Sequence, residues 1–303
     1  MKRASIDIGT NSVLLLVANV QNGRIEVLEE MQEVPRLGKG VDRDKNLHPE
    51  SQKRVVDVLK KYQEYLESDT SIVAAETLVT ATSAVRDAQN KDEFLHLVKK
   101  ETGWDILLLS GNAEAEISYC GALSVLYGRD SVNNVILDIG GGSTEIAFGE
   151  GMDLIDGFSI DMGSVRFTER FFKNDLPGNE EIQSMRNSIR QLFSSQELPI
   201  DHFDTIGVAG TVTSIAAIQE NLKHYEAAEI NGKRLTSEYI QSFIREFSEL
   251  HPEQIEERYQ PFLTGRGDVI LAGLIILDEF MSWCGKEELI VSTGGIRHGI
   301  LLD

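Results

Sequence analysis

Two short stretches of this chain carry the same residue types in the same order: Ile6-Asp7-Ile8-Gly9-Thr10-Asn11-Ser12 and Leu137-Asp138-Ile139-Gly140-Gly141-Gly142-Ser143. Each ends an apolar run (Ala4 to Ile8, Val135 to Ile139) and each is followed by another (Val13 to Val20, Glu145 to Phe148). The spacing predicts a tight turn joining two strands, made twice. Glycine lets the backbone bend and approach a ligand closely, and small Ser and Thr side chains leave amide N–H groups free to face an anion. Aspartate at a strand end suits a hydrated magnesium ion bridging to phosphate oxygens. One such turn is an ordinary Gly-rich hairpin; two matched copies point to two facing phosphate clamps.

The elements that must hold these turns follow from hydrophobic periodicity. In the first half, strands are predicted at about residues 3 to 8, 12 to 20 and 25 to 34, then a helix from Pro49 to Leu66 with Val55, Val56, Leu59, Tyr62 and Leu66 as its apolar stripe. A β-rich run from Ile72 to Thr80, a helix over Lys91 to Lys100, a strand at Ile106 to Leu109 and a helix from Asn112 to Tyr127 complete it, with Gly128 as a stop. The second half repeats the order. Strands near 134 to 139, 144 to 149 and 152 to 160 precede a helix about Asn179 to Phe193. A strand at Thr205 to Val208, helices at Val212 to Gln219 and Ser237 to Leu250, a strand at Leu289 to Ser292 and a short final helix follow. Both halves read β-β-β-α-β-α-β-α.

A length of 303 residues suits two domains of about 150 residues each better than one core. With 41% hydrophobic and 26% charged residues the composition is globular. Cys120 and Cys284 lie far apart without metal-ligand spacing, which implies neither a disulfide framework nor a zinc site and fits a reducing, cytoplasmic setting. Lys2 and Arg3 precede the apolar run Val13 to Val17, but Asp7 and Asn11 interrupt and no small-residue cleavage site follows, so the run reads as a buried strand rather than a signal. No apolar run approaches the length needed to cross a bilayer. The net charge of -20 argues against nucleic-acid and anionic-membrane partners. A polyanionic substrate would then need the few cations gathered at one cleft, with metal ions supplying the remainder.

The duplicated order, with an Asp-Gly hairpin opening each half, resembles the actin-like superfamily of sugar kinases, ATPases and related phosphotransferases. That resemblance implies an α/β fold of two actin-like (ribonuclease H-like) domains, residues 1–124 and 125–303, with phosphate in the interdomain cleft. The last helix is free to pack back on the first domain, and the boundary near residues 122 to 130 reads as a hinge. The segment Gly265-Arg266-Gly267-Asp268 leading into Val269 to Phe280 is an insertion in the second copy.

Six motifs narrow the likeness: Asp7 to Ser12, Thr80-Ala81-Thr82-Ser83-Ala84-Val85-Arg86, Ser110-Gly111-Asn112-Ala113-Glu114-Ala115, Asp138 to Glu145, Gly207-Val208-Ala209-Gly210-Thr211 and Ser292-Thr293-Gly294-Gly295-Ile296-Arg297. In this order they resemble the exopolyphosphatase and guanosine pentaphosphate phosphatase (Ppx/GppA) family, from Ile6 to Leu301. The resemblance implies that Glu114 is the general base that activates water. Helix capping explains Glu114 poorly: if Ser110 is the N-cap, a capping box needs its carboxylate at position 113, which is Ala113. Ala113 and Glu116 depart from the family pattern, where a second acid and a basic residue often occur, and Glu116 adds negative charge near the site.

The resemblance further implies that Asp138 and Glu145 hold magnesium, with Asp7 able to complete the site, and that Arg86 contacts phosphate. Arg266 and Arg297, each in a Gly-rich turn, are further candidates, because a guanidinium fork pairs bidentately with phosphate oxygens. Gly9, Thr10, Asn11, Ser12, Gly140, Gly141, Gly142, Ser143 and Thr144 are the turn residues expected to bind substrate. Gly210 and Thr211 open a helix after a strand, an anion-ready terminus. No histidine pair has ligand spacing; His298 follows Arg297 where the family usually has Glu.

The expected activity is magnesium-dependent removal of the terminal phosphate from inorganic polyphosphate, or of the 5′-terminal phosphate from guanosine pentaphosphate. The alternative, an ATP-dependent kinase or ATPase of the same superfold, needs an acceptor-activating Asp and an adenine pocket, and neither is identifiable. A silent phosphate-sensing scaffold is argued against by Glu114 and the complete Asp138 to Glu145 motif. Larger family members carry an extra C-terminal helical domain, whereas here Leu302-Asp303 directly follow the last shared motif, which implies shorter substrates. A homodimer is compatible with this reading.

Overall fold

The computed structural model of the chain describes residues 2–21, 24–68, 77–126, 128–129 and 132–302. It divides into two compact units, Met1–Ser124 with Gly294–Asp303, and Val125–Thr293. The last ten residues, counted with the second domain in the sequence reading though free there to pack on the first, lie in the first unit.

In the first unit β1 (Lys2–Ile8), β2 (Val13–Gln21) and β3 (Arg24–Glu33) form an antiparallel meander. There follow α1 (Val41–Asp44), α2 (Pro49–Ser68), β4 (Thr77–Ala81), α3 (Ser83–Arg86), α4 (Lys91–Thr102), β5 (Ile106–Leu108) and α5 (Gly111–Ser124). The sheet runs β3-β2-β1-β4-β5, with β1, β4 and β5 parallel. Alternation along β1 decides what each face does. Ala4, Ile6 and Ile8, with Val13, Leu15 and Val17 of β2, bury one face against Val55, Leu59 and Tyr62 of α2 and Phe94 and Val98 of α4. Truncating one of these, Leu59→Ala for instance, costs about 2–5 kcal/mol through lost burial and the cavity left. Ser5 and Asp7 stand on the other face. There Leu16 and Ala18 meet Ile300 and Leu301, and Ser5 Oγ donates to Arg297 O at 2.6 Å. The terminal segment is seated on α5 by close approach: a Cβ on Gly121 would lie 2.0 Å from Gly295 O.

The second unit repeats this plan with additions: β6 (Asn133–Ile139), β7 (Thr144–Glu150), β8 (Asp153–Ile160), α6 (Ser164–Phe171), α7 (Asn179–Ser194), β9 (Asp204–Val208), α8 (Ala209–Gln219), α9 (Ala227–Ile230), β10 (Arg234–Thr236), α10 (Ser237–Phe247), α11 (Pro252–Arg258), α12 (Ile270–Cys284) and β11 (Glu288–Val291). The closing turn of helix, α13 (Ile296–Gly299), belongs to the first unit. Sheet order is β10-β11-β9-β6-β7-β8, with β6, β9 and β11 parallel. Read from the meander inward, the two sheets match strand for strand, and β10 is extra. Even the register shift recurs at the same place, between Val17 and Ala18 in one copy and between Phe148 and Gly149 in the other. A shift shared at one position strengthens local twist in both meanders.

Helix α12 is buried on every side from Ile270 to Met281, apolar there apart from Asp278 and Glu279, and forms the centre of the second core. It begins one residue after, and ends four residues beyond, the predicted Val269 to Phe280. Helix α5 stops at Ser124; Tyr127, its predicted end, lies outside the described residues, as do residues 72 to 76 of the predicted β-rich run. Helices α1, α3, α6, α9 and α11 and strand β10 have no counterpart in the periodicity. All but α6 and α11 are three or four residues long, too short to show a period, and α6 is held by contacts described below. No helix among the described residues is long and apolar enough to cross a membrane.

Candidate active site

Apart from Arg266 and Arg297, the candidate residues stand at the C-terminal ends of the parallel strands of their unit, where open α/β sheets bind ligands. The two Gly-rich turns are closed by the same hydrogen bond: Gly9 N–H donates to Ser12 O at 2.9 Å, and Gly140 N–H to Ser143 O at 3.0 Å. Their carbonyls are pinned from behind. Thr10 O accepts from Gly38 N–H (2.8 Å) and Asn11 O from Arg36 N–H (2.9 Å). In the second copy the first turn of α6 does this work, with Ser164 N–H on Gly140 O (3.0 Å) and Val165 and Arg166 N–H on Gly141 O (2.8 and 3.0 Å). Arg166, itself 7% exposed, adds Nε on Gly142 O at 2.5 Å. In a trans peptide the N–H points opposite to the C=O. Pinning these carbonyls therefore turns the amides of Asn11, Ser12, Gly141, Gly142 and Ser143 outward, the arrangement of an anion nest. The approach of α6 leaves no room at Gly163, where a Cβ would lie 2.5 Å from Gly141 C and O.

Several side chains in and beside the turns have buried partners of their own. Thr10 Oγ1 and Ser83 Oγ are 2.9 Å apart and both buried. Thr144 Oγ1 donates to Met162 O at 2.5 Å. Asp7, on β1, accepts from Thr80 Oγ1 of the neighbouring parallel strand at 3.1 Å. Asn11 Oδ1 is buried without a hydrogen-bond partner, a costly state for an amide.

Glu114 lies in the first turn of α5, where Ser110 caps by accepting Ala113 N–H at 3.2 Å. The carboxylate is thus one residue past the capping-box position. It faces inward, 4% exposed, whereas Glu116 points to solvent. Arg86, closing α3, donates from Nη1 to Glu114 Oε2 at 2.8 Å and to Leu109 O at 3.1 Å. Guanidinium and helix N-terminus together favour the ionised carboxylate.

Asp138 and Glu145 are direct partners across the antiparallel β6–β7 pair, both on one face and 7% and 2% exposed. Glu145 Oε1 also accepts Ser159 Oγ from β8 at 2.6 Å. Directly opposed residues have Cβ atoms about 4.5–5.5 Å apart, and like charges there repel. Two buried carboxylates beside a phosphate-ready turn therefore fit a divalent cation that needs only one or two protein ligands, as magnesium does. Among the described residues no group of three or more His, Cys, Asp or Glu is placed to hold a metal.

Gly210 and Thr211 open α8, which follows β9 directly. The Arg266 guanidinium lies against Gly210 so closely that a Cβ there would overlap Nη1, and burial lowers its pKa from the ordinary arginine value. Arg297 lies in the first unit, where Nη2 pairs with Glu30 Oε1 of β3 at 2.6 Å. His298 is 1% exposed, and burial, helped by the Arg297 charge, pushes its pKa down to about 3.

Sequence reasoning does not reach Arg166, Thr80 as the partner of Asp7, or Ser159 as the partner of Glu145. Arg166 follows Gly163-Ser164 with no motif around it; only its contact with Gly142 marks it. Thr80 and Ser159 hold parity with Asp7 and Glu145 on adjacent strands, a signal that needs the strand pairing to be known.

Residues 16–303 match a family model described as the Ppx/GppA phosphatase family. The chain is 35% identical over 314 residues to the bifunctional 3-dehydroquinate synthase/phosphatase of Fusobacterium nucleatum, covering 99% of this chain and 46% of that longer protein. It is 32% identical over 316 residues to exopolyphosphatase 2 of Mycobacterium tuberculosis, covering 99% of this chain and 97% of that protein. The crystal structure of the Aquifex aeolicus Ppx/GppA family member, 31% identical, matches with a TM-score of 0.82 over 100% of this chain and 96% of its own.

Proposed function

This chain belongs to the Ppx/GppA phosphatase family, and from that premise we propose that it hydrolyses the terminal phosphoanhydride of inorganic polyphosphate, or the 5′-terminal one of guanosine pentaphosphate. The observation that carries this is the Arg86–Glu114 pair: a buried carboxylate in a helix's first turn, outside the capping geometry, with a guanidinium on one oxygen. Phosphoryl transfer demands little covalent chemistry and much positioning and charge neutralisation. Glu114 orients the attacking water and takes its proton; a positioned base contributes about 10²–10⁴-fold. Arg86 keeps that carboxylate oriented and ionised, and its guanidinium contacts a phosphoryl oxygen. The outward amides of Asn11 and Ser12, in the same unit as Glu114, stabilise charge that builds on the remaining oxygens. Magnesium, held by Asp138 and Glu145, would supply further neutralisation of the phosphate chain. The leaving group is a phosphate chain end, a good anion that departs without a protein acid.

Phosphate release from polyphosphate, guanosine pentaphosphate and ATP, each with and without magnesium, tests the proposal. Release from one or both of the first two, dependent on magnesium, is expected. Turnover of ATP with no hydrolysis of either would transfer the chain to the kinase or ATPase reading.

A further inference from the structure

Within the Val125–Thr293 unit, α7, α10 and α12 enclose a groove of about 360 Å³ that the catalytic reading does not use. Its floor is unusual for an apolar helix. Asp278 and Glu279 of α12 are 4% and 3% exposed, and buried carboxylates survive only when paired and hydrogen-bonded. Here every oxygen is satisfied. Arg186 Nη1 donates to Asp278 Oδ2 at 2.6 Å and to Glu279 Oε1 at 2.5 Å. Arg190 grips Glu279 at two points, Nε to Oε2 (2.7 Å) and Nη2 to Oε1 (3.0 Å), and Gln241 Nε2 donates to Asp278 Oδ1 at 3.0 Å.

Two negative charges are thus matched by two guanidinium groups. A third, Arg245 of α10, lines the same groove, is exposed, and its guanidinium makes no hydrogen bond or ion pair among the described residues. The Arg190 side chain is 58% exposed, so the edge of its fork not used by Glu279 faces solvent. In a chain of net charge -20, a concave surface with a surplus cation and no carboxylate oxygen left without a donor is a local sink for anions. Buried ion pairs hold the Arg190 fork in place before any ligand arrives, which lowers the ordering cost of binding.

We propose that this groove is a second anion site, taking an oligophosphate on Arg190 and Arg245, either a nucleotide's triphosphate or a short run of inorganic polyphosphate. The proposal does not rest on the catalytic reading.

Calorimetric titration of the full chain with methylene-bridged tripolyphosphate and with the β,γ-methylene analogue of GTP reads binding without turnover. Two binding events per chain are expected with at least one probe, and Arg245→Glu should weaken one of them 10-fold or more while leaving the other within twofold. Binding of both probes assigns recognition to phosphate alone; binding of only one assigns the site to that source. Absence, with both probes, of any event that Arg245→Glu weakens 10-fold overturns the site; a single event that it does weaken supports the groove and counts against the catalytic reading. Should that variant misfold by circular dichroism, Arg245→Gln takes its place, with the same 10-fold criterion. Loss of phosphate release with both events intact would count against the catalytic reading only.

Discussion

Arg86 Nη1 stands 2.8 Å from Glu114 Oε2, joining the last residue of α3 to the first turn of α5, and the same nitrogen is anchored on Leu109 O at 3.1 Å. Glu114 is the more buried of the two, with its side chain 5% exposed against 22% for Arg86. The carboxylate is thereby fixed, and the guanidinium also lies near Asp87, whose Oδ1 is 4.0 Å from Nε.

Glu114→Gln preserves a carbonyl oxygen for Arg86 and removes the proton acceptor. Phosphate release should fall by about 10²–10⁴-fold, with an unchanged denaturation midpoint. An active Gln variant would refute the assignment. Arg86→Ala should lower activity in the parent and change little in the Gln background, because residues that act together are not additive.

The second turn depends on Arg166. Arg166→Ala removes the donor to Gly142 O and leaves a buried carbonyl unsatisfied, a cost of about 1–3 kcal/mol. Arg166→Lys keeps the charge without the planar Nε donor. Both should raise KM and lower stability in urea. Unchanged kinetic constants in either variant would show that the turn holds itself.

Asp138 and Glu145 are opposed and buried, and under the proposed function they share a magnesium ion. Magnesium should therefore raise the Tm of the parent, and Asp138→Asn should abolish that shift and the activity while leaving the metal-free Tm equal or higher. A parent protein whose Tm ignores magnesium would argue against the pair as ligands.

His298 sets an acid limb. Its folded pKa of about 3 lies below the unfolded value of roughly 6.5. Between these values the unfolded chain binds a proton that the folded chain refuses, so stability falls as pH drops through that window and is unaffected by this group above it. One proton corresponds to about 1.4 kcal/mol per pH unit. Chemical unfolding at pH 4, 5 and 6 should show a shallower slope by that amount in His298→Leu. Identical slopes would mean that His298 accepts its proton in the folded state.

Much of this was legible from local pattern. The apolar runs around Asp7 and Asp138 predict the strands, and the Gly-x-x-Ser spacing predicts two like turns, because a hairpin is decided by neighbours a few residues apart. Glu114 stands out because Ser110 and Ala113 rule out the capping box, and the capping hydrogen bond bears out Ser110 as the N-cap. The family and the duplicated α/β fold follow from the order of the six motifs.

What packing alone decided is which distant groups each residue meets. Arg297 looks like a phosphate ligand in its Gly-rich turn, yet it pairs with Glu30, and the turn itself joins the unit formed by residues 1–124. Arg166 has no motif, yet it holds Gly142. Asp278 and Glu279 look like misplaced charges in an apolar helix until α7 brings Arg186 and Arg190 to them. Short-range sterics and periodicity act within a few residues and are written in the sequence, whereas the partner of a long charged side chain is chosen when separate elements close on one another and desolvation forces each charge to find its complement.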